Sequence, residues 1–329
     1  MNFDLGPDQR DAAAAARDFY RGSASPAAAR AALEGGAVAP GRKALADIGF
    51  LGITVPEPAG GAGGSLLDLA VVAEQGGAVL AGPSLLTAAR AAVLLAGSPD
   101  LAAQLADGSA ALAVVDGPVT GSSPSIDAAG ATLFLGLDDG ALVVGEGEAA
   151  AGPPLDATRG LASVRLTSRR VLAEDAAQLW ARARQVAAVV LAAEDLGTAD
   201  AAVQMAVGYA QQRETFGRRI GSYQSVKHML VDAWVGVDQL RSLVWWAAWA
   251  ADAAPEELPL AASAAKAHAA EVLERAAETC IQVHGGIGFT WEHDAHLYWR
   301  RAKVDRLLLG DAAEHLDAVA RLAVDGALA

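Results

Sequence analysis

The sequence predicts an α+β fold in which helices dominate, and three observations carry that reading. Residues from Met1 to about Ala106 are Ala-rich and helix-favouring. A middle stretch, about Asp107 to Asp175, holds short β-favouring runs between Gly, Pro, Ser and Asp turns. The remainder, Ala176 to Ala329, carries apolar stripes at helical spacing. The expected organisation is a helical unit over 1–106, a small strand-rich module over 107–175 and a helical bundle over 176–329.

In the first unit, Asp8 to Tyr20 and Pro26 to Leu33 read as helices. Ala44 to Ile53 is a helix end broken by glycine and followed by an apolar stretch. Gly60-Gly61-Ala62-Gly63-Gly64 lacks the Lys-Ser/Thr of a phosphate-binding P-loop and reads as a flexible turn. Leu66 to Gly76 and Pro83 to Ala96 read as further helices. The middle module has strand candidates at Leu112 to Val115, Thr132 to Leu137, Ala141 to Val144 and Ala162 to Leu166. Turns such as Asp116-Gly117-Pro118 and Asp138-Asp139-Gly140 separate them. In the third unit, Val226, Leu230, Ala233, Val237, Leu240 and Val244 step by four and three along one long helix. Pro255 and Pro259 interrupt the pattern before Leu260 to Val283 resumes it.

The chain has 329 residues, 53% hydrophobic and 19% charged, enough apolar mass for a packed core. Its formal net charge of -14 argues against nucleic acid and against an anionic membrane surface as partners. The single cysteine, Cys280, excludes an internal disulfide and a multi-cysteine metal site. It reads as a small buried hydrophobe. The six histidines lack metal-ligand spacing, so no metal is expected. Met1 to Arg10 carries Asp4 and Asp8 and does not read as a secretory signal, nor does any run read as a membrane span. The expectation is a cytoplasmic protein.

Two segments carry candidate chemistry. In Gln212 to Gln224, a helix ends, a loop with Arg213, Thr215, Phe216, Gly217, Arg218 and Arg219 follows, and a new helix starts near Ser222, a suitable N-cap. Arginine donors beside a helix start suit a phosphate; the bland alternative is a helix-hairpin turn with solvated arginines. In Gln282 to Glu292, Gly285, Gly286 and Gly288 close a long helix, and Thr290 is placed to cap the next one. Glycines there admit a close ligand or simply end the helix. Trp245, Trp246 and Trp249 read as core or interface, and His228 as an ordinary helix histidine. Arg300, Arg301, Lys303 and Arg306 read as a solvated or salt-bridged face.

Together the two segments resemble signatures of the flavin-dependent acyl-CoA dehydrogenases. Arg213, Phe216, Gly217, Ile220 and Gln224 match R-x-x-F-G-x-x-I-x-x-x-Q, and Gln282, Gly285, Gly286, Gly288 and Phe289 match Q-x-x-G-G-x-G-F. Leu45 through Glu57, followed by Gly60-Gly61, is similar to that family's L-x-x-x-G-x-x-G-x-x-x-P-E…G-G. The resemblance implies an N-terminal helical domain, a middle β-domain, here shortened, and a C-terminal four-helix bundle. It also implies FAD, with Arg213, Thr215, Phe216, Gln224, Gln282, His284, Gly285 and Gly286 at its nucleotide end, across a subunit interface.

The departures are equally specific. The family's flavin wall, T-E-P-x-x-G-S-D and G-x-K-x-W, does not occur, and Ser122-Ser123-Pro124-Ser125 is no substitute. The family's glutamate base falls on Leu309 in Leu308-Leu309-Gly310-Asp311, and its alternative position falls about Ala187 and Ala188. Asp311, Glu314 and Glu194 lie nearby in sequence and read as surface or bundle polar groups, so no catalytic residue is expected in this chain. The pattern is similar to short subunits of sterol-degrading bacteria. The resemblance then implies a non-catalytic subunit that completes the FAD site of a full-length acyl-CoA dehydrogenase homologue. The expected assembly is an α2β2 heterotetramer dehydrogenating steroid side-chain CoA thioesters. The alternatives are a homomeric enzyme with a relocated base, a flavin-free lyase or hydratase, or a purely structural partner.

Overall fold

The computed structural model describes residues 5–121 and 124–328. Asp4, in the acidic start, and the Ser122-Ser123 pair lie outside the described residues. The first helices are α1 (Pro7–Ser23), α2 (Pro26–Leu33), α3 (Arg42–Asp47), α4 (Leu66–Ala78), α5 (Ser84–Leu94) and α6 (Pro99–Ala106). Proline opens α1, α2 and α6, where its missing N–H costs nothing. Ser65 caps α4 by accepting from Asp68 N, and the Asp68 carboxylate accepts from Ser65 N in return. The Gly60–Gly64 turn is hydrogen-bonded to the segment before it: Ala62, Gly63 and Gly64 donate their amides to Gly52, Val55 and Ile53.

The middle segment forms two small sheets. Strands β1 (Leu112–Val114), β3 (Leu133–Asp138), β4 (Ala141–Gly145) and β7 (Arg170–Ala173) lie in the order β1-β3-β4-β7, with only the β1–β3 pair parallel. Strands β2 (Pro124–Ser125), β5 (Gly147–Ala150) and β6 (Ala162–Leu166) make an antiparallel sheet in the order β2-β6-β5. The β3–β4 connection is the two-residue turn Asp139-Gly140, both at positive φ, a type I′ hairpin turn whose twist suits the strands. Strands β5 and β7, absent from the sequence-based expectation, are edge strands with largely exposed residues and so lack an apolar run.

The last part holds α7 (Ala177–Gln212), α8 (Gln224–Ala253), α9 (Leu258–His284), α10 (Ala295–Asp305) and α11 (Ala312–Leu328). Between α7 and α8 sits a hairpin of β8 (Glu214–Thr215) and β9 (Arg218–Arg219). Helix α7 is buried on every side from Val186 to Ala199, with Glu194, Asp195 and Thr198 as the polar residues in that stretch. It packs against α4, α5, α8 and α9. At the α4–α7 crossing the two backbones nearly touch. A Cβ on Gly77 would lie 1.9 Å from Glu194 O, and one on Gly197 would lie 1.8 Å from Glu74 O. The Thr198 hydroxyl donates to Gly77 O at the same point.

A buried ionic network joins the strand-bearing segment to the bundle. Arg301 Nε donates to Asp156 Oδ2 at 2.7 Å, and its Nη2 donates to Thr158 Oγ1 and Ala81 O. Arg159 pairs with Asp305 and Glu194. The basic stretch on α10 therefore divides. Lys303 and Arg306 pair with Glu274 on the surface, as expected of such a face, whereas Arg301 is fully buried. Its carboxylate and carbonyl partners come from distant segments, which is why the sequence reading, a solvated or salt-bridged face, gave the salt bridge but not the burial.

Candidate functional site

Helix α7 ends where Arg213 turns extended, and a hairpin begins at once. The Glu214–Arg219 and Thr215–Arg218 pairs leave Phe216 and Gly217 as a two-residue turn. Both have positive φ, +50° and +77°. Glycine takes such a conformation readily; for Phe216 it is a sparsely populated state, and the ring is 93% exposed. Tyr223 braces the hairpin. Its hydroxyl donates to Thr215 O at 3.1 Å, and the Arg218 guanidinium stacks 3.9 Å from its ring centre. Ser222 does not cap α8: it lies in a short 3-10 turn and its hydroxyl donates to Arg219 O, while Tyr223 occupies the cap position.

The second segment arrives beside the first. Helix α9 stops at Gly285, φ +65°, and a 3-10 turn runs from Gly285 to Phe289. Thr290 does not cap α10; its hydroxyl donates back to Ile287 O, and α10 begins at Ala295 after Asp294. Nothing stands within 4 Å of where a Cβ on Gly285 or Gly286 would be, so their backbone faces open space. Phe289 and Trp291 are largely exposed on the same turn.

A groove of about 400 Å3 lies between these pieces, lined by Thr215, Phe216, Tyr223, Met229, Gln282 and Val283 among others. Three of the predicted site residues, Thr215, Phe216 and Gln282, thus share one groove. Arg213 and Gln224 flank the hairpin and are exposed. His284 is buried behind it: its ring stacks on Tyr209 and His293, and Nδ1 lies 2.7 Å from Cys280 O, so that nitrogen carries the proton. Burial pushes the Cys280 thiol up to about 12, in keeping with a packed hydrophobe.

Charge is concentrated here. Arg213, Arg218, Arg219 and Lys227 are exposed within fifteen residues of a chain whose net charge is -14. None of the four makes an ion pair among the described residues. Arg218 and Tyr223 were not singled out from sequence as site residues; the only signal for them is their place inside the loop motif.

The expected position of a catalytic carboxylate has a different character. Leu309 is buried, and its carbonyl accepts from Arg184 Nη2, with His315 Nε2 also 3.0 Å away. Ala188 lines a pocket of about 340 Å3 with Arg184, Glu314 and His315. Each nearby acid is engaged. Asp311 accepts from Glu314 N at the start of α11, Glu314 pairs with Arg184 at 2.8 Å, and Glu194 is buried against Arg159. Burial, partly offset by Arg159, raises the Glu194 carboxyl above its usual range.

Comparison with known proteins agrees with this architecture. Residues 6–110 match the acyl-CoA dehydrogenase N-terminal domain and residues 180–323 the acyl-CoA dehydrogenase C-terminal domain. The chain is 37% identical to acyl-CoA dehydrogenase IpdE2 of Mycobacterium tuberculosis over 302 residues, 89% of this chain and 90% of that one. Acyl-CoA dehydrogenase FadE34 of the same organism is 38% identical over 96% of this chain, which spans only 48% of that longer protein. Among solved structures, a chain of the ChsE4-ChsE5 complex from Mycobacterium tuberculosis superposes with a TM-score of 0.86 at 25% identity, covering 98% of each chain. A chain of the Tcur3481-Tcur3483 steroid ACAD superposes at 0.84 and 25%, covering 99% of this chain and 100% of that one. An N-terminal helical domain, a small middle sheet domain, a C-terminal helical domain and this extent of similarity make the chain a member of the acyl-CoA dehydrogenase family.

Proposed function

We propose that this chain is the non-catalytic subunit of a heteromeric, FAD-dependent acyl-CoA dehydrogenase, completing the nucleotide end of a cofactor whose flavin ring is held by a longer homologue. The observation that carries the reading is the outward-facing hairpin and its flanks: four cations without ion pairs among the described residues, a strained exposed Phe216, and the open Gly285-Gly286 backbone beside it. Arg213 and Thr215 would donate to the pyrophosphate, and the groove along Thr215, Phe216 and Gln282 would take the adenosine side. These residues fit a dinucleotide, because guanidinium forks and open amides meet phosphate oxygens and the groove supplies apolar contact. His284, buried behind the turn, would fix the chain entering Gly285 rather than touch the cofactor. FAD, when bound, supplies the hydride acceptor for α,β-dehydrogenation of a CoA thioester.

In this reading the base for that reaction comes from the partner. Removal of the α-proton needs a carboxylate free to reach it, whereas Asp311, Glu314 and Glu194 are each committed to a cap or an arginine. The ChsE4-ChsE5 likeness supports a partner of the same family, an α2β2 assembly being the expected form. The steroid ACAD likeness supports a steroid side-chain thioester as substrate. In keeping with this setting, no described helix is long and apolar enough to cross a membrane.

Co-expression with the longer homologue, followed by native mass, flavin content and CoA-thioester turnover, tests the reading. A yellow, active heteromer is expected, with flavin lost in Arg213→Ala. A yellow and active preparation of this chain alone would overturn it in favour of a homomeric enzyme with a relocated base. Turnover without flavin would favour a lyase or hydratase.

A further inference from the structure

The hairpin between α7 and α8 is too small to hold its own shape. Two residue pairs join its strands, and a two-stranded ribbon is marginal in water even when longer. Its turn also places Phe216 at φ +50°, which works against it. The pose that turns Arg213 and Thr215 outward therefore depends on groups outside the ribbon.

One side chain reaches both strands. The Tyr223 hydroxyl donates to Thr215 O on β8 at 3.1 Å, and the Arg218 guanidinium of β9 lies 3.9 Å from the centre of its ring. By contrast, Ser222 Oγ, donating to Arg219 O at 2.7 Å, and Ile220 N, donating to Arg213 O at 2.8 Å, each hold a single point. Tyr223 is itself anchored, because its carbonyl accepts from Lys227 N at 3.1 Å in the first turn of α8. It also lines the groove beside Thr215 and Phe216. Among the described residues, Arg218 is the one of the four cations whose side chain has a partner in this chain.

We propose that Tyr223 is a positioning residue for the cofactor's phosphates, and that Arg218 serves this brace rather than the phosphates. The stack and the hydrogen bond hold β8 and β9 against α8, so that Arg213 and Thr215 meet the ligand without first having to be ordered. The proposal deepens the FAD reading and rests on it, although the brace itself needs no flavin.

Two measurements test it. In the isolated chain, the rate of tryptic cleavage after Arg219 reads the hairpin directly. Tyr223→Leu is expected to speed that cut about tenfold while circular dichroism and melting temperature stay unchanged, and Tyr223→Phe, which keeps the ring, about threefold. In the co-expressed heteromer, FAD dissociation should quicken by the same factors. Arg218→Gln should quicken it as well, yet add nothing in a Tyr223→Leu background, because an arginine that acts through the ring has no effect once the ring is gone. Cleavage as slow in Tyr223→Leu as in wild type, FAD dissociation unchanged by that variant, or an Arg218→Gln effect that adds in full would each overturn the proposal. A colourless heteromer would sink the cofactor reading and leave the brace to stand or fall on the tryptic rates.

Discussion

Arg159 and Asp305 lie 146 positions apart and face each other with both side chains withdrawn from solvent. Arg159 Nε donates to Asp305 Oδ1 at 2.7 Å, and its Nη2 donates to the second carboxylate oxygen. Glu194 takes the remaining side of the guanidinium. One arginine thus ties the turn between β5 and β6 to α7 and α10.

Removing that guanidinium strands two carboxylates in the interior. Arg159→Met is expected to cost about 3–5 kcal/mol, the range for an ion pair broken from one side. A thermal scan should show the melting temperature lower by about 10 °C, given the size of the domain. Conversion of Glu194 to Gln in the same background should recover part of the loss, because the neutral amide no longer needs the arginine.

Asp195 sets a pH dependence. Both of its carboxylate oxygens are buried without a hydrogen-bond partner among the described residues. Burial, then the neighbouring Asp305 charge, pushes its carboxyl well above the usual range. A folded-state value above the unfolded one means that this group favours folding at low pH. That contribution fades as pH rises from the unfolded carboxylate value, about 3.9, through the raised folded one. Asp195→Asn should therefore raise the melting temperature more at pH 8 than at pH 5, and unchanged curves at both would refute the assignment. Asp156 acts oppositely, because Arg301 and Arg159 outweigh its burial and hold it low, so its contribution is lost in acid.

Much of this architecture is legible in the sequence because it rests on local rules. Helices with a Pro start or a Ser cap, and strands separated by Asp-Gly turns, appear close to where the patterns put them. What was not legible has long-range causes. Arg301 reads like its exposed neighbours until Asp156 and Thr158, more than 140 positions earlier, supply its partners. Ser222 and Thr290 look like caps by type but sit in 3-10 turns that use their hydroxyls otherwise. At the site, the two segments carrying the motifs come together beside one groove. The positive φ of Phe216 and the Arg218–Tyr223 stack follow from the hairpin and have no signature of their own.

Arg213 should matter to the assembly and not to the fold. Its side chain is exposed, so Arg213→Ala should leave the unfolding free energy of the isolated chain within about 0.5 kcal/mol of wild type. In the heteromer, loss of a charge-assisted bond to phosphate is worth about 1.5–3 kcal/mol, or roughly a ten- to hundredfold weaker retention of FAD. Flavin absorbance after dialysis reads the difference. Retention equal to wild type would remove Arg213 from the cofactor.

Phe216 should show opposite effects on its own chain and on the complex. Asn tolerates the left-handed region better than Phe, so Phe216→Asn should stabilise the isolated chain by up to about 1 kcal/mol, measured by urea denaturation. The same change should weaken heteromer formation tenfold or more in a titration, because the exposed ring is lost. A change that weakens both would mean that the ring only supports its own hairpin.

The α4–α7 crossing has a mechanical consequence. Side chains can rotate to cushion a sliding helix, but where carbonyl oxygens rest against the bare Cα atoms of Gly77 and Gly197 there is no such cushion. The amino-terminal helices and the bundle spine therefore shift as one solid block.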